Sequence, residues 1–144
     1  MNIGIYYFTR TGHCKRIAEK IGMQMGLVAH PINDDIDWKG WKAYLKFQAY
    51  AKGKKELHLE YEGDVQAFDR LIIVSPVWGS RMPPTVKQFV EQVPLKKVDM
   101  IVSSKMDKMK GIEDCHHVVH IKQTEKRVDR ILDEYIRHLT DETS

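Results

Sequence analysis

The hydrophobic pattern divides the chain into short apolar runs separated by stretches with helical spacing. Each run is four to six residues long and rich in Ile, Val or Leu, which is typical of strands. The predicted strands are residues 3–8, 27–32, 71–75, 98–103 and 118–121. A nearly unbroken run such as "LIIVS", residues 71–75, suits a strand that is covered on both faces, as in a parallel sheet.

Three other stretches show the period of an amphipathic helix. The first ends at Gly26, the second spans residues 85–93 between prolines, and the third spans residues 125–139. Strands and helices therefore alternate, which predicts the α/β class with a parallel sheet. No repeat, linker or break in composition divides the chain, so we expect a single domain over residues 1–144.

Composition and charge exclude several classes of protein. Hydrophobic residues make up 42% of the chain and charged residues 30%, as in an ordinary globular protein. Every apolar run is far shorter than the roughly 20 residues of a membrane span, and the first residues lack the pattern of a secretory signal. A net charge of +3 is too small to indicate nucleic acid. Cys14 and Cys115 form no disulfide pattern, so we expect free thiols and a cytoplasmic location.

Open parallel sheets bind ligands beyond the carboxyl ends of their strands. Three loops have this position in the predicted sheet, at residues 9–14, 76–84 and 103–111. The first loop, Thr-Arg-Thr-Gly-His-Cys, precedes a helix and offers unpaired backbone N–H groups, threonine hydroxyls and a glycine. These groups suit a phosphate, and similar turns also serve as plain helix caps.

The second loop carries a large aromatic residue among three prolines. Its sequence, "SPVWGSRMPP" at residues 75–84, places Trp78 beside Gly79, directly after the central predicted strand. An exposed indole in a stiff loop is expected to cover another ring system. A planar ligand stacked on Trp78, with its phosphate in the first loop, would explain both loops.

Together the two loops resemble the flavodoxin-like family. The phosphate loop of that family has the form Thr/Ser-x-Thr-Gly-x-Thr, which residues 9–13 match up to the last position, where Cys14 stands. The stretch "FDRLIIVSPVWGSRMPPTVKQFV", residues 68–90, is similar to the family's central strand, flavin loop and following helix. The resemblance implies a flavodoxin-like three-layer sandwich, with a parallel five-stranded sheet of order 2-1-3-4-5 and helices on both faces.

The same resemblance implies bound FMN. Its phosphate would lie on residues 9–14, and its isoalloxazine ring against residues 76–80 and the loop after the fourth strand. The cofactor-binding residues that the resemblance implies are Thr9, Arg10, Thr11, Gly12, His13, Cys14, Pro76, Val77, Trp78, Gly79, Ser80, Ser103 and Ser104. No side chain receives a catalytic role, because a flavin carries the redox chemistry itself.

Two features depart from the family pattern. The thiol of Cys14 donates more weakly than a threonine hydroxyl, and we interpret it as a packing or weak contact residue in preference to a redox-active thiol. Only residues 104–117 separate the fourth and fifth strands, which is close to the minimum for a parallel crossover. The connection is therefore shortened, and the helix expected in it must be short, irregular or missing.

Residues 38–55 contain six lysines and no acid, interleaved with aromatic residues. We favour a helix that packs against the sheet with its lysines in solvent. A flap over the flavin, or a segment that contacts a membrane surface or nucleic acid, are the alternatives.

The motif "HHVVH" at residues 116–120 raises the question of a metal site. On a strand, His116 and His120 share one face but lie about 13 Å apart, which is too far for one ion, and His117 points the other way. We therefore expect no metal site, and solvated histidines at the end of a strand.

Three functions are open at this point. The first is an FMN-binding flavodoxin-like redox protein, either an electron-transfer protein or a small flavin-dependent oxidoreductase. The second is an NAD(P)H-dependent two-electron reductase of quinones, which the mildly basic charge favours because soluble carriers of this family are typically acidic. The third is a flavin-free interaction module. The expected partner is a redox protein or a small electron acceptor, with no nucleic acid and no membrane span, and the chain would be a monomer or a homodimer.

Overall fold

The structure, a computed structural model, describes residues 1–36, 57–105 and 108–143. The lysine-rich segment of residues 38–55 lies outside these ranges, so its three interpretations stay predictions. Within the described ranges, no helix has both the length and the apolar character needed to span a membrane.

In the described part of the chain, five strands form one parallel sheet in the order β2-β1-β3-β4-β5. They are β1 (Ile3–Tyr7), β2 (Ala29–Pro31), β3 (Arg70–Pro76), β4 (Val98–Ser104) and β5 (His117–Lys122). The strand order and the parallel direction confirm the predicted sheet. Each strand overlaps its predicted run, with ends that shift by one or two residues.

Burial follows the position of each strand in the sheet. In β3 residues 71–75 are buried, and all seven residues of β4 are buried. These strands lie inside the sheet and are covered on both faces, as their nearly unbroken apolar runs predict. β5 forms an edge of the sheet, and its Val118 is 41% exposed.

Within the same ranges there are three helices, α1 (His13–Met25), α2 (Pro84–Val90) and α3 (Val128–Thr143). α1 and α3 pack on one face of the sheet, where Ile17 and Leu132 share a core cluster with Ile72 of β3. α2 packs on the opposite face, where the rings of Phe89 and Tyr6 have centroids 5.0 Å apart. Helices on both faces of a central sheet confirm the predicted three-layer arrangement.

Two helices are shorter at one end than their sequence patterns. α2 ends at Val90 although Val93 is also buried, and α3 begins at Val128 although the pattern starts at Glu125. Before α3, the amide of Arg127 donates a hydrogen bond of 2.9 Å to the side chain of Glu125, which holds this segment in a turn. At the end of α2 the apolar pattern thus continues past the helix, because Val93 in the following turn also contributes to the core.

The connection between β4 and β5 contains no helix in its described residues, 105 and 108–116. Met109 and Ile112 of this connection are buried, and they join the core cluster that contains Phe89. The structure thus confirms the predicted shortening. Two side chains cover this part of the sheet in place of a helix.

A buried carboxylate at the amino end of β4 connects α3 to the sheet. Asp99 is 1% exposed and accepts a hydrogen bond of 2.5 Å from the Tyr135 hydroxyl. Its other carboxylate oxygen lies 2.8 Å from His116 Nδ1 and 3.9 Å from a guanidinium nitrogen of Arg70. Burial, followed by the charge of Asp99, raises the pKa of Tyr135. The hydroxyl therefore keeps its proton and stays a donor.

We expect Tyr135→Phe to lower the free energy of unfolding by about 1–3 kcal/mol, because the buried Asp99 carboxylate loses a donor. The matched control is Tyr61→Phe, which also removes a hydroxyl hydrogen bond, to Gln92 at 2.7 Å, but in an exposed position where water can replace it. Urea denaturation of both variants measures the difference. Equal losses, or no loss for Tyr135→Phe, would contradict the importance of this bond.

Candidate functional site

The carboxyl ends of the strands surround a cavity of about 590 Å³. Its wall is formed by the loops that follow β1 and β3 and by the segments that follow β4 and β5. The volume lies within the roughly 300–1,000 Å³ of small-molecule sites. The position is also the one at which open parallel sheets bind ligands.

Ten of the thirteen predicted cofactor-binding residues line this cavity. They are Thr9, Arg10, Thr11, His13 and Cys14 from the first loop, Pro76, Val77 and Trp78 from the second, and Ser103 and Ser104 from β4. The other three, Gly12, Gly79 and Ser80, do not line it. Lys105 and Gln123 line it and were not predicted.

Gly12 determines the shape of the first loop. It has a φ of 91°, in the left-handed region that favours glycine, and it is the residue before the first turn of α1. Its amide donates a hydrogen bond of 2.9 Å to Thr9 Oγ1, and its carbonyl accepts from the Arg16 amide at 3.2 Å. No side chain caps α1 within the described residues. The backbone amides at the start of α1 are thus available to an anion, which the helix dipole also favours.

Cys14 is buried beneath this loop. Its side chain is 3% exposed and belongs to the core cluster between α1 and the sheet. Burial raises the pKa of the Cys14 thiol to about 12, so the thiolate is almost absent at neutral pH. Both observations support the interpretation of Cys14 as a packing residue.

The second loop is a tight turn that positions Trp78. The backbone N–H of Trp78 donates to the carbonyl of Arg81 at 2.9 Å, and the Arg81 N–H donates back to the Trp78 carbonyl at 3.1 Å. Gly79 and Ser80, between them, have φ values of 57° and 63°, which is typical of a type I′ turn. The backbone of these two residues forms the turn, and neither residue lines the cavity.

Trp78 is half-buried, which corrects the prediction of an exposed ring. Its ring meets that of Phe8 at 71°, with centroids 5.4 Å apart. This edge-to-face contact anchors the ring on the core, and the ring also lines the cavity. Trp78 is thus held in one place before any ligand binds.

The end of β4 contributes two serines with different surroundings. Ser103 is 1% exposed, and its hydroxyl has no hydrogen-bond partner in the described part of the chain. Ser104 Oγ lies 2.6 Å from His120 Nε2 of β5, so this pair shares a hydrogen bond. His120 therefore holds the side chain of Ser104, a residue that lines the cavity.

His116 is exposed, as predicted for a histidine at a strand end, and His120 is half-buried, but both rings also have partners. His116 precedes β5, and its ring bridges Asp99 at 2.8 Å and Glu142 at 3.5 Å. His120 is bonded to Ser104, as described above. Both rings thus lie beside partners on neighbouring elements. Over the described ranges, no group of three or more His, Cys, Asp or Glu could hold a metal ion.

The electrostatic character of the cavity favours an anion with hydrogen-bonding groups. Arg10 and Lys105 line it, and no Asp or Glu is among its described lining residues. His13 Nε2 and Ser103 Oγ, which also belong to lining residues, are buried and lack a hydrogen-bond partner in the described chain. Buried polar atoms without partners are rare in native proteins, and a polar ligand in the cavity would satisfy them. A phosphorylated aromatic cofactor such as FMN fits this combination.

Comparison with known proteins identifies the fold. No protein-family model matches the sequence, and no curated protein is significantly similar to it. A flavoprotein from Lactobacillus acidophilus NCFM, solved in complex with FMN, is 18% identical with a TM-score of 0.67, covering 90% of this chain and 97% of that one. A flavodoxin mutant from Fusobacterium nucleatum bound to flavin mononucleotide is 12% identical with a TM-score of 0.57, covering 97% and 95%. An NADPH-quinone reductase from P. pentosaceus is 12% identical with a TM-score of 0.54, covering 96% and 97%.

These structures are similar in fold to the chain over nearly its whole length. The chain therefore has a flavodoxin-like fold, as its two loop motifs predicted. At identities below 20% the similarity concerns the fold alone, so the function has to be argued from the cavity.

Proposed function

We propose that this chain binds FMN in the cavity and serves as a flavin-dependent redox protein. One observation carries the proposal: a loop suited to a phosphate and a loop suited to a flat ring line the same cavity. Each loop alone has a simpler explanation, as a helix cap or as core packing. Their meeting in one cavity, with no acid in its described lining, supports a phosphorylated aromatic ligand.

The first loop would hold the phosphate. Backbone amides at the start of α1 would donate to its oxygens, joined by the hydroxyl of Thr11 and the guanidinium of Arg10. The Thr9 hydroxyl already accepts a hydrogen bond from Gly12, so its own hydrogen is free to donate to a phosphate oxygen. The preformed loop would thus bind a dianion with little rearrangement.

The second loop and the end of β4 would hold the ring system. Trp78, already fixed against Phe8, would cover one face of the isoalloxazine and keep water from it. The unpaired hydroxyl of Ser103 would exchange a hydrogen bond with a polar atom of the ring. When bound, FMN would supply one- or two-electron transfer, and the protein would supply position and surroundings.

We propose that the partner is a redox protein or a small electron acceptor. Acidic carrier proteins are attracted to basic partner proteins. This chain has a formal charge of +3 and lacks that attraction, which favours the small acceptor. The free thiols of Cys14 and Cys115 are consistent with a reducing cytoplasm. Because the charge favours a small acceptor, an NAD(P)H-dependent quinone reductase is the second candidate, and one of the solved structures with this fold is named an NADPH-quinone reductase.

Two measurements separate these functions. Titration of FMN into the purified protein, followed by the quenching of flavin fluorescence, tests cofactor binding, and we expect one FMN per chain. Protein that takes up no FMN would overturn the proposal and favour the flavin-free interaction module. With FMN bound, consumption of NADH or NADPH upon addition of a quinone would identify the reductase, whereas flavin that these nucleotides do not reduce would favour electron transfer between proteins.

A further inference from the structure

A second, smaller cavity adjoins the Trp78 turn. It has a volume of about 270 Å³, and none of its described lining residues belongs to the larger cavity. Its lining residues are Arg81, Met82, Pro84, Lys87, Lys110 and Gly111. The volume is just below the range of drug-sized sites, so it suits a small molecule or one end of a larger one.

The turn that carries Trp78 contributes one residue to the lining of each cavity. Trp78 and Arg81 are joined by two backbone hydrogen bonds, and Trp78 lines the larger cavity while Arg81 lines the smaller one. The amide of Lys110 donates to the Ser80 carbonyl at 2.9 Å, so the far wall of the smaller cavity is attached to the same turn. A molecule that reaches over this turn would contact both cavities.

The smaller cavity is basic. Among its six described lining residues three are cations and none is acidic. Arg81, Lys87 and Lys110 form no ion pair with any carboxylate in the described ranges. Three cationic side chains beside one small cavity favour the binding of an anion there.

The remaining surface of the smaller cavity is apolar. Pro84 is buried and Met82 is half-buried, so both present hydrocarbon or thioether surface to the cavity. Thioether and proline surfaces suit the edge of an aromatic or aliphatic body. The cavity thus combines cationic side chains with apolar surface. This combination suits an organic acid better than an inorganic ion.

We propose that this cavity binds the acidic group, a carboxylate, sulfonate or phosphate, of a small organic molecule that reacts at the flavin. The inference deepens the proposed function and rests on it, since the larger cavity must hold FMN for the molecule to be a reaction partner. The acidic group would lie among Arg81, Lys87 and Lys110, and the body of the molecule would extend across the turn toward Trp78.

Binding of two redox-inert probes to the oxidised, FMN-saturated protein tests the inference. Naphthalene-2-sulfonate and naphthalene-2-methanol have the same ring system and differ in charge. We expect the sulfonate to bind about three- to tenfold more tightly by calorimetry, as for a few partly exposed charge pairs. The double variant Lys87→Gln/Lys110→Gln is expected to remove this preference, and Lys96→Gln, whose lysine lies before the amino end of β4, is expected to retain it.

The two sources of such an acidic group are distinguished in the same variants. A preference for NADPH over NADH that the double variant loses would identify the group as a nucleotide phosphate. A preference for the sulfonated ring without a preference for NADPH would identify an acidic aromatic acceptor. Either result supports the anion site.

Failures of the two proposals have different signatures. Equal binding of the two naphthalene probes, or a preference that the double variant retains, would overturn the anion site while FMN binding is unaffected. Absence of FMN binding in the unaltered protein would overturn the proposed function, and with it the assignment of a reaction partner to this cavity.

Discussion

Trp78→Ala is expected to weaken FMN binding by about 5- to 150-fold, which corresponds to about 1–3 kcal/mol of stacking on a flat ring. The indole lines the larger cavity and is fixed edge-to-face on Phe8, so its stacking surface is oriented before the flavin arrives. Such a fixed ring loses little conformational entropy on binding, which makes its removal costly.

Trp78→Phe is the matched control for this prediction. A phenyl ring keeps an aromatic face but has less area, so its loss of affinity should be smaller than that of Trp78→Ala. Fluorescence titration of FMN into each variant gives the dissociation constants, and circular dichroism verifies that the proteins are folded. Equal dissociation constants in the unaltered protein and in Trp78→Ala would remove Trp78 from the site.

Ser103→Ala is expected to change stability and cofactor binding in opposite directions. Its hydroxyl is buried without a partner in the described residues, so its removal should raise the free energy of unfolding of the FMN-free protein by about 1 kcal/mol. If FMN satisfies this hydroxyl, the same change should weaken FMN binding by about 2- to 12-fold, the loss of one hydrogen bond.

Ser104→Ala provides the contrast for this prediction. Ser104 shares a hydrogen bond of 2.6 Å with His120, so its truncation should lower the free energy of unfolding by about 1 kcal/mol. Urea denaturation of the FMN-free variants and FMN titration of each give the two quantities. A destabilised FMN-free Ser103→Ala protein would show that the hydroxyl has a partner in the folded chain, and an unchanged affinity for FMN would show that the cofactor does not contact Ser103.

The strands inside the sheet could be predicted from the sequence because burial on both faces leaves a nearly unbroken apolar run, as in residues 71–75. The limits of β2 could not be predicted from the sequence. Leu27 is apolar, but its amide donates to the Gly22 carbonyl at 2.9 Å and so completes the carboxyl end of α1. An apolar residue that ends a helix and one that begins a strand look alike in sequence.

Most of the larger cavity could be predicted because its residues follow directly after strands. Lys105 and Gln123 also follow strands, β4 and β5, and that position is the signal that could have identified them. The contact of Ser104 with His120 depends on the register of β4 and β5, in which Val102 is opposite His120. A pattern of apolar residues does not specify that register.

The smaller cavity gave no signal in the sequence. It depends on the hydrogen bond between the Lys110 amide and the Ser80 carbonyl, which joins two loops 30 positions apart. Neither loop has a periodic pattern, and Arg81, Lys87 and Lys110 are ordinary surface residues when they are considered singly. Only the folded chain brings these three residues into the lining of one cavity.

Titration of the protein with FMN and with riboflavin tests the central claim most directly, because the two ligands share the ring system and differ in the phosphate. If the loop of residues 9–14 holds the phosphate, FMN should bind at least about 100-fold more tightly than riboflavin, the value of two or more charge-assisted hydrogen bonds. Equal affinities for FMN and riboflavin, or binding of neither, would contradict the account.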